Sequence, residues 1–447
     1  MTKKKALRLY YIVFVILLML CSNSLASMGA EEIPWSQIYG TQDFDEGRRI
    51  ITTDDGGLAL VGTIERKFQN DRADFWLVKI DETGQILWNR TYGNDEADEH
   101  FDYKDRLNDA ILTKDGGFAL VGITQKIIPD ESADSNSWLV KTDSSGLVQW
   151  NYTYGYESMW YGGSEWTNGI TQHADGGFIL TGWKDEKGLW LVKVDSNGLE
   201  EWNQTYDKDY SWGVGVVQVA DGGVVVGGGS RATWNETSNF LLMKLDNNGS
   251  VQWKHIYDNN GDQRLTAFIP TRDNGFALAG INASWYGIPP QDIWLIKTDA
   301  NGMVEWNQTY GYYDYQNCKA LIQTSDHGFA LAGMCITGRL DSGHHDWDGL
   351  LIKTDANGVV QFYQTYDCGA QEEFSDLIQM NDGGFSLLGR APDPSGSYDF
   401  WLVRTDASGS PPQCSLNSSN SLNTSGLMIS SVLATFVTLY YFCKRRK

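Results

Sequence analysis

LNDAILTKDGGFALVG, residues 107–122, and SWLVKTDSSGLVQWNYTYG, residues 137–155, are the two halves of a unit that recurs along most of the chain. In the first half, Ala110 to Leu112 and Phe118 to Val121 flank Thr113-Lys114-Asp115-Gly116-Gly117. Asp can accept hydrogen bonds from its own turn, and Gly tolerates positive φ, so this is hairpin chemistry. In the second half, Trp138-Leu139-Val140 leads through Asp143-Ser144-Ser145-Gly146 into Leu147 to Tyr154. Two hairpins rich in β-branched and aromatic residues make four short strands.

The first turn appears seven times, with its Asp at 55, 115, 175, 221, 273, 326 and 382, at steps of 60, 60, 46, 52, 53 and 56 residues. The third-strand motif also appears seven times, from Trp76-Leu77-Val78-Lys79 to Trp401-Leu402-Val403-Arg404. The fourth strand follows only six of these, the first as Trp88 to Tyr92 and the last as Phe362 to Tyr366. The seventh copy lies at the other end of the chain, as Trp35-Ser36-Gln37-Ile38-Tyr39. An open solenoid gives no reason to split a unit between the termini. A closed ring does, because the N-terminal strand then completes the last sheet and removes an edge. The expectation is an all-β, seven-bladed β-propeller of four-stranded blades over residues 33–409, its last blade closed by the N-terminal strand.

The flanks give an address. Lys3, Lys4, Lys5 and Arg8 precede an apolar run from Leu9 to Cys21, and Ser24-Leu25-Ala26 offers a cleavage site, so 1–26 reads as a signal peptide. Residues 410–426 are rich in Ser and Asn and read as a stalk. Residues 427–443 carry no charge and read as a transmembrane helix or a processed sorting signal, with 444–447 as a basic cytoplasmic tail. The expected location is the cell surface, as a single-pass membrane protein with its N-terminal domain outside.

The formal charge is −22. The eight basic residues of leader and tail lie outside residues 27–426, which therefore hold 57 acids against 27 bases. That excludes a nucleic-acid partner, which needs a basic footprint. It suits a solvated extracellular surface. No resident cofactor is implied, and calcium is the one ion the composition leaves open. Four cysteines lie outside the apolar segments, Cys318, Cys335, Cys368 and Cys414, an even set that suggests disulfides in an exported protein. Cys318 and Cys335 flank the Asp326 turn almost symmetrically and are expected to pair, leaving Cys368 for Cys414.

The pattern Asp-Gly-Gly-Phe-x-Leu-x-Gly, then Trp-Leu-Val-Lys-x-Asp-x-x-Gly, then Trp-x-x-Thr-Tyr-Gly resembles the SBBP-like β-propeller repeats of secreted and cell-surface bacterial and archaeal proteins. The likeness runs from about Ile33 to Gly409. Leu241 and Leu350 depart from it in the third strand, and Phe362 in the fourth. It implies a fold and a surface location and carries no catalytic residues.

Both hairpin turns emerge on one face, so the long connections share the other, where ligand groups usually sit. Examples are Asn94–Tyr103, Tyr156–Tyr161 and Tyr312–Tyr315. Nine residues before each turn Asp stand Glu46, Arg106, Trp166, Trp212, Arg264, Asn317 and Glu373. A ring would gather them at the channel mouth as candidate ligand-binding residues. Two Trp among polar groups suit a sugar or peptide, and the same two Trp can instead plug the channel. No zinc spacing accompanies His344 and His345 within Asp341–Asp348, and the acidic run Asp95–Asp105 lacks a calcium-loop pattern. No nucleophile elbow, phosphate loop or Cys-x-x-Cys is present, so no catalytic residue is singled out. Glycosylation sequons stand at Asn89, Asn151, Asn203, Asn235, Asn248, Asn282, Asn307, Asn417 and Asn423. The expected function is a surface binding or adhesion module for glycan or protein ligands. An extracellular glycosidase or lyase and a ligand-free envelope component are the alternatives.

Overall fold

The computed structural model describes residues 34–410, apart from residues 42, 67–71, 95–101, 128–134, 156–163, 185–187, 207–209, 234–235, 286–287, 314, 340–344, 370 and 394–395. The leader, the stalk beyond Ser410, the apolar segment, the tail, Cys414, and the sequons at Asn235, Asn417 and Asn423 lie outside the described residues, as does most of the long loops. The chain divides into a unit ending at Cys414 and a second one, Ser415–Lys447, which lies wholly outside them. Among the described residues no helix is long and apolar enough to cross a membrane.

Among the described residues, twenty-eight strands form four-stranded antiparallel sheets in a propeller-like arrangement. In the quoted unit, Asp102–Leu112 pairs with Phe118–Ile127, which pairs with Ser135–Thr142, which pairs with Val148–Tyr154. A single parallel bridge, Ala73 to Lys104, joins this sheet to the preceding one. At the end of the chain, Glu373–Gln379, Phe385–Pro392 and Tyr398–Arg404 form three strands of a sheet. The fourth is Trp35–Tyr39, paired antiparallel with Tyr398–Arg404 from Trp35↔Arg404 to Tyr39↔Phe400.

The motif residues are locks between turns. In every unit the third-strand cation pairs with the Asp of the first turn. Lys79–Asp55 is 3.0 Å, Lys141–Asp115 2.8 Å, Lys193–Asp175 2.7 Å, and Lys297–Asp273 and Lys353–Asp326 both 2.8 Å. Lys244–Asp221 and Arg404–Asp382 complete the set. These cations are largely buried, and Lys79, Lys141, Lys297, Lys353 and Arg404 also donate to backbone carbonyls, as Lys141 does to Thr142 O at 2.8 Å. A pair left half-made there costs far more than a surface pair.

A second lock joins neighbouring sheets. Each fourth-strand Tyr donates its hydroxyl to the carbonyl of the left-handed Gly in the next Asp-x-x-Gly turn. The bonds are Tyr92 to Gly146 at 2.8 Å, Tyr154 to Gly198, Tyr206 to Gly249 and Tyr257 to Gly302 at 2.7 Å, Tyr310 to Gly358 at 2.8 Å and Tyr366 to Gly409 at 2.7 Å. Tyr39, from the N-terminal strand, reaches Gly84 at 2.7 Å and so links the last sheet to the first. Burial pushes all seven phenols above their ordinary range. The fourth-strand Trp lies on the same glycine: a Cβ built on Gly146 would stand 2.8 Å from the Trp88 ring.

The core is divided among the seams between neighbouring sheets. Phe75 and Leu77 meet Leu107, Phe118 and Trp138 in one cluster. Tyr39, Leu388, Phe400 and Leu402 meet Ile50, Leu60 and Trp76 in another, which joins the last sheet to the first. Each seam buries about ten apolar side chains. At about 1.5–3 kcal/mol each these outweigh a Tyr–Gly bond of about 1 kcal/mol, so burial supplies cohesion and the hydroxyls set alignment.

The expected Cys318–Cys335 disulfide is not formed; both are buried free thiols. In the ladder Cys318 faces Gly333 and Cys335 faces Gln316. The register set at the turn, Gln323↔Phe329, already puts the two cysteines one step out of opposition, and the bulge at Lys319 adds a second step, so they are offset along the hairpin. Burial pushes both thiols up to about 12. Cys368 is partly buried at the seam between the last two sheets.

Removing residues 33–40 from the full chain should lower its melting temperature and broaden the transition, whereas Tyr39→Phe should cost only about 1 kcal/mol in chemical denaturation. An unchanged melt after the deletion would contradict closure by the N-terminal strand. Gly146 (φ 76°) and Gly116 (φ 79°) test the packing lock separately. Both substitutions to Ala meet left-handed strain, but only at Gly146 does the methyl run into an indole; at Gly116 the nearest atom is 4.0 Å away. Gly146→Ala should therefore be the more destabilising of the two, and equal losses would remove the Trp clamp from the account.

Candidate functional site: a bulge-lined channel

The first strand of each unit carries a β-bulge at the same place. The register slips between Gly47 and Arg49, Leu107 and Asp109, Thr167 and Gly169, Gly213 and Gly215, Leu265 and Ala267, Cys318 and Ala320, and Phe374 and Asp376. A bulge leaves one residue outside the ladder and re-aims its side chain. The residues so released are Arg48, Asn108, Asn168, Val214, Thr266, Lys319 and Ser375, one from each unit. All seven line one cavity of about 390 Å³, within the range of small-ligand pockets.

Hydrogen bonds tie the bulges to one another. Asn108 Nδ2 donates to Thr167 O at 2.7 Å, Asn168 Nδ2 to Gly213 O at 2.8 Å, and Thr266 Oγ1 to Cys318 O at 2.5 Å. Asp109 accepts from the Ile170 amide at 3.0 Å and Asp376 from the Ile50 amide at 2.9 Å. Arg49 stands between these carboxylates, 2.5 Å from Asp109 and 3.5 Å from Asp376. It draws the first, second and last units together. Asp109, with its neighbour, raises the Arg49 guanidinium still further, while burial raises the Asp376 carboxyl despite Arg49.

The seven residues expected at the mouth occupy equivalent positions, two before each bulge, facing Thr63, Ile123, Trp183, Gly229, Ile281, Met334 and Arg390 in register order. Most are held locally. Glu46 pairs with Arg48 at 3.1 Å, Arg106 with Glu65 at 2.9 Å, Arg264 with Asp262 at 3.1 Å and Glu373 with Arg390 at 3.2 Å. Trp166 meets the edge of Trp183 with ring centroids 6.0 Å apart. Trp212 lies under Arg231, 5.3 Å from ring to guanidinium carbon. Asn317 is buried, and its Oδ1 has no hydrogen-bond partner. Only Trp212 of the seven lines the cavity, which stays open beside it. The bulge residues are the ones that sequence reasoning missed. Each stands seven positions before its turn Asp, as Arg48 does before Asp55 and Lys319 before Asp326. That spacing was readable, but a bulge leaves no mark in a simple alternation.

The four fourth-strand sequons have a structural use. The indole of Trp138 donates to Asn151 Oδ1 at 3.2 Å, that of Trp190 to Asn203 at 2.6 Å and that of Trp294 to Asn307 at 3.1 Å, with Trp76 to Asn89 longer at 3.5 Å. Where Leu241 and Leu350 replace the Trp, Lys254 and Tyr363 replace the Asn, while the last sheet keeps Trp401 and has Ser36 at the Asn position. Asn248 is exposed and Asn282 half-buried.

Carboxylates gather where the chain crosses between sheets. Oxygens of Asp348, Asp367 and Glu372 lie within 4.8 Å of one another, a donor set suited to a hard cation such as calcium. Burial, then Asp367 and Asp346, raise Asp348 to about 6 against a Thr337 bond. At the seam joining the last and first sheets, burial raises Asp45 to about 7 although Thr41 donates to it, and Asp399 adds to the rise. Burial and Asp393 raise Asp399 to about 6.

No family model matches the chain, and no curated protein does. Solved structures resemble it at low identity. The WD40 domain of Neurospora crassa Pan2 aligns over 80% of this chain and 89% of its own, at 9% identity and a TM-score of 0.47. A protein of unknown function from Dyadobacter fermentans aligns over 83% and 97%, at 10% identity and 0.47. YCF48 bound to D1 peptide aligns over 85% and 96%, at 12% identity and 0.46. Likenesses this remote assign no activity to the chain.

The titrating groups fall into two windows. Hydrogen bonds from Thr53 and Lys79 hold the Asp55 carboxyl at about 2, and Lys141 and Thr113 hold Asp115 there against burial. Folded values below the unfolded one give stability that is lost as pH falls from about 4 toward 2. Asp45, Asp399 and Asp348 are raised, so the folded state holds their protons more tightly. Their effect is to lower stability as pH rises from about 4 to about 7. Asp45→Asn should therefore gain on the parent as pH rises through that window in chemical denaturation. A gain that does not change with pH would contradict the buried acid.

Proposed function

We propose that the chain is a cell-surface binding module: a closed seven-bladed β-propeller on a C-terminal anchor, taking an extracellular glycan or protein ligand at its channel and long-loop rim. The observation that carries this reading is the contrast between the lock residues and the bulge residues. Lys–Asp and Tyr–Gly repeat in unit after unit, whereas the seven positions that line the cavity carry Arg, Asn, Asn, Val, Thr, Lys and Ser. Positions that vary within a rigid repeated frame are where recognition is placed. The SBBP-like resemblance and the flanking segments support the surface location.

The alternative of a polysaccharide-cleaving enzyme needs an acid and a base free to act on substrate. No carboxylate lines the cavity among the described residues, and Asp109 and Asp376, which hold its Arg49, each accept a backbone amide. Groups engaged in that way serve structure, which favours binding over cleavage.

The purified full chain should retain a subset of glycans on a polysaccharide and oligosaccharide array, with and without calcium, and release no shortened products. Cleavage products would move the reading to the enzyme. No retention and no cleavage across a broad panel would end both glycan readings and leave a protein ligand or an envelope role.

A further inference from the structure

The polarity of the channel is not evenly distributed around its wall. Three consecutive inner strands, from the sixth, last and first units, supply Lys319, Ser375 and Arg48. Lys319 forms no ion pair among the described residues. Ser375 Oγ and Arg48 Nε are buried without a hydrogen-bond partner; Glu46 engages only Nη2 of Arg48. The Arg48 side chain as a whole is about one-third exposed and Lys319 is half-buried, so this arc presents two cations at the cavity, beside the ion-paired Arg49, in a chain whose overall charge is −22.

The next two units supply Asn108 and Asn168. Each uses one N–H of its amide on the neighbouring strand, which fixes the amide and leaves its oxygen as an acceptor for a ligand. The fourth and fifth units complete the wall with Trp212, Val214 and Phe268, an apolar arc. The order around the channel is thus cationic donors, amide acceptors, then carbon surface.

We infer that the channel binds a carboxylated sugar, a hexuronate or a glycan ending in one. The carboxylate meets Arg48 and Lys319, the ring hydroxyls donate to the two Asn oxygens, and the C–H face of the ring rests on the apolar arc. A neutral sugar would leave the donor arc unsatisfied. A simple anion would leave the apolar arc and the amide oxygens unused. This inference rests on the channel being the ligand site, and it narrows the ligand to one chemical class.

The test is calorimetric titration of the full chain with glucuronate and galacturonate, their neutral parents glucose and galactose, acetate, and an oligouronide. Both uronates should bind at least about tenfold more tightly than their neutral parents and than acetate, as expected for a charge-assisted contact. Arg48→Gln and Lys319→Gln should each weaken uronate binding by about tenfold or more and leave neutral-sugar binding unchanged. Val214→Phe, which fills the cavity from the uncharged side, should abolish binding without touching the charges and covers the case in which Arg48→Gln fails to fold. An oligouronide tighter than the free uronate places a glycan end in the channel; equal affinities place the free sugar acid there. Equal binding of uronates and neutral sugars would overturn the acidic specificity and leave the binding module standing. Array retention that survives Val214→Phe would move the site to the rim. Absence of uronate binding altogether would overturn the inference.

Discussion

A tyrosine hydroxyl reaching the carbonyl of a left-handed glycine in the next sheet is the contact on which the alignment of successive sheets depends. It explains both ends of the repeat at once. The glycine must be glycine because its φ is positive and because, at Gly84, Gly146, Gly198, Gly302 and Gly358, an indole lies over the place a Cβ would take. The tyrosine must stand four residues after that indole so that ring and hydroxyl close on the same turn. Apolar seams give most of the cohesion, but they would tolerate sliding, since aliphatic and aromatic contacts are not directional. The hydroxyl–carbonyl bond and the buried Lys–Asp pair fix where each sheet stops.

That contact also explains why the outline of the fold was legible in the sequence. Trp88-x-x-x-Tyr92 and Asp143-x-x-Gly146 are two halves of one joint, and the chain spells them out in each unit. The unpaired half at Trp35–Tyr39 pointed to its partner strand across the whole chain. The site was less legible for a physical reason. The count of nine residues back from each turn carries no sign of the bulges at Arg48 through Ser375, which lie two positions on. Glu46 and Glu373 therefore serve as local ion-pair partners, and the cavity belongs to the residues two positions on. The Cys318–Cys335 pairing failed on register as well, since the turn leaves the two one step out of opposition and the bulge at Lys319 adds another.

Function follows from where repetition stops. Lock positions cannot vary without loosening a seam. Bulge positions can, because each has left its ladder and answers only to its neighbour around the channel. Asn108, Asn168 and Thr266 use part of their hydrogen-bonding capacity on that neighbour, while Lys319, Ser375 and the Arg48 Nε do not. Arg49 with Asp109 and Asp376 braces the wall beside Arg48 and Lys319.

The central claim is that Trp35–Tyr39 is an integral strand of the last sheet. Amide hydrogen exchange over Trp35–Tyr39 and Tyr398–Arg404 tests it most directly, with the equivalent pair Ile86–Tyr92 and Arg72–Ile80 as internal reference. The account predicts that both pairs exchange together, at the slow rate of the whole domain. Fast exchange in Trp35–Tyr39 and along the facing edge of Tyr398–Arg404, beside a protected reference pair, would contradict it.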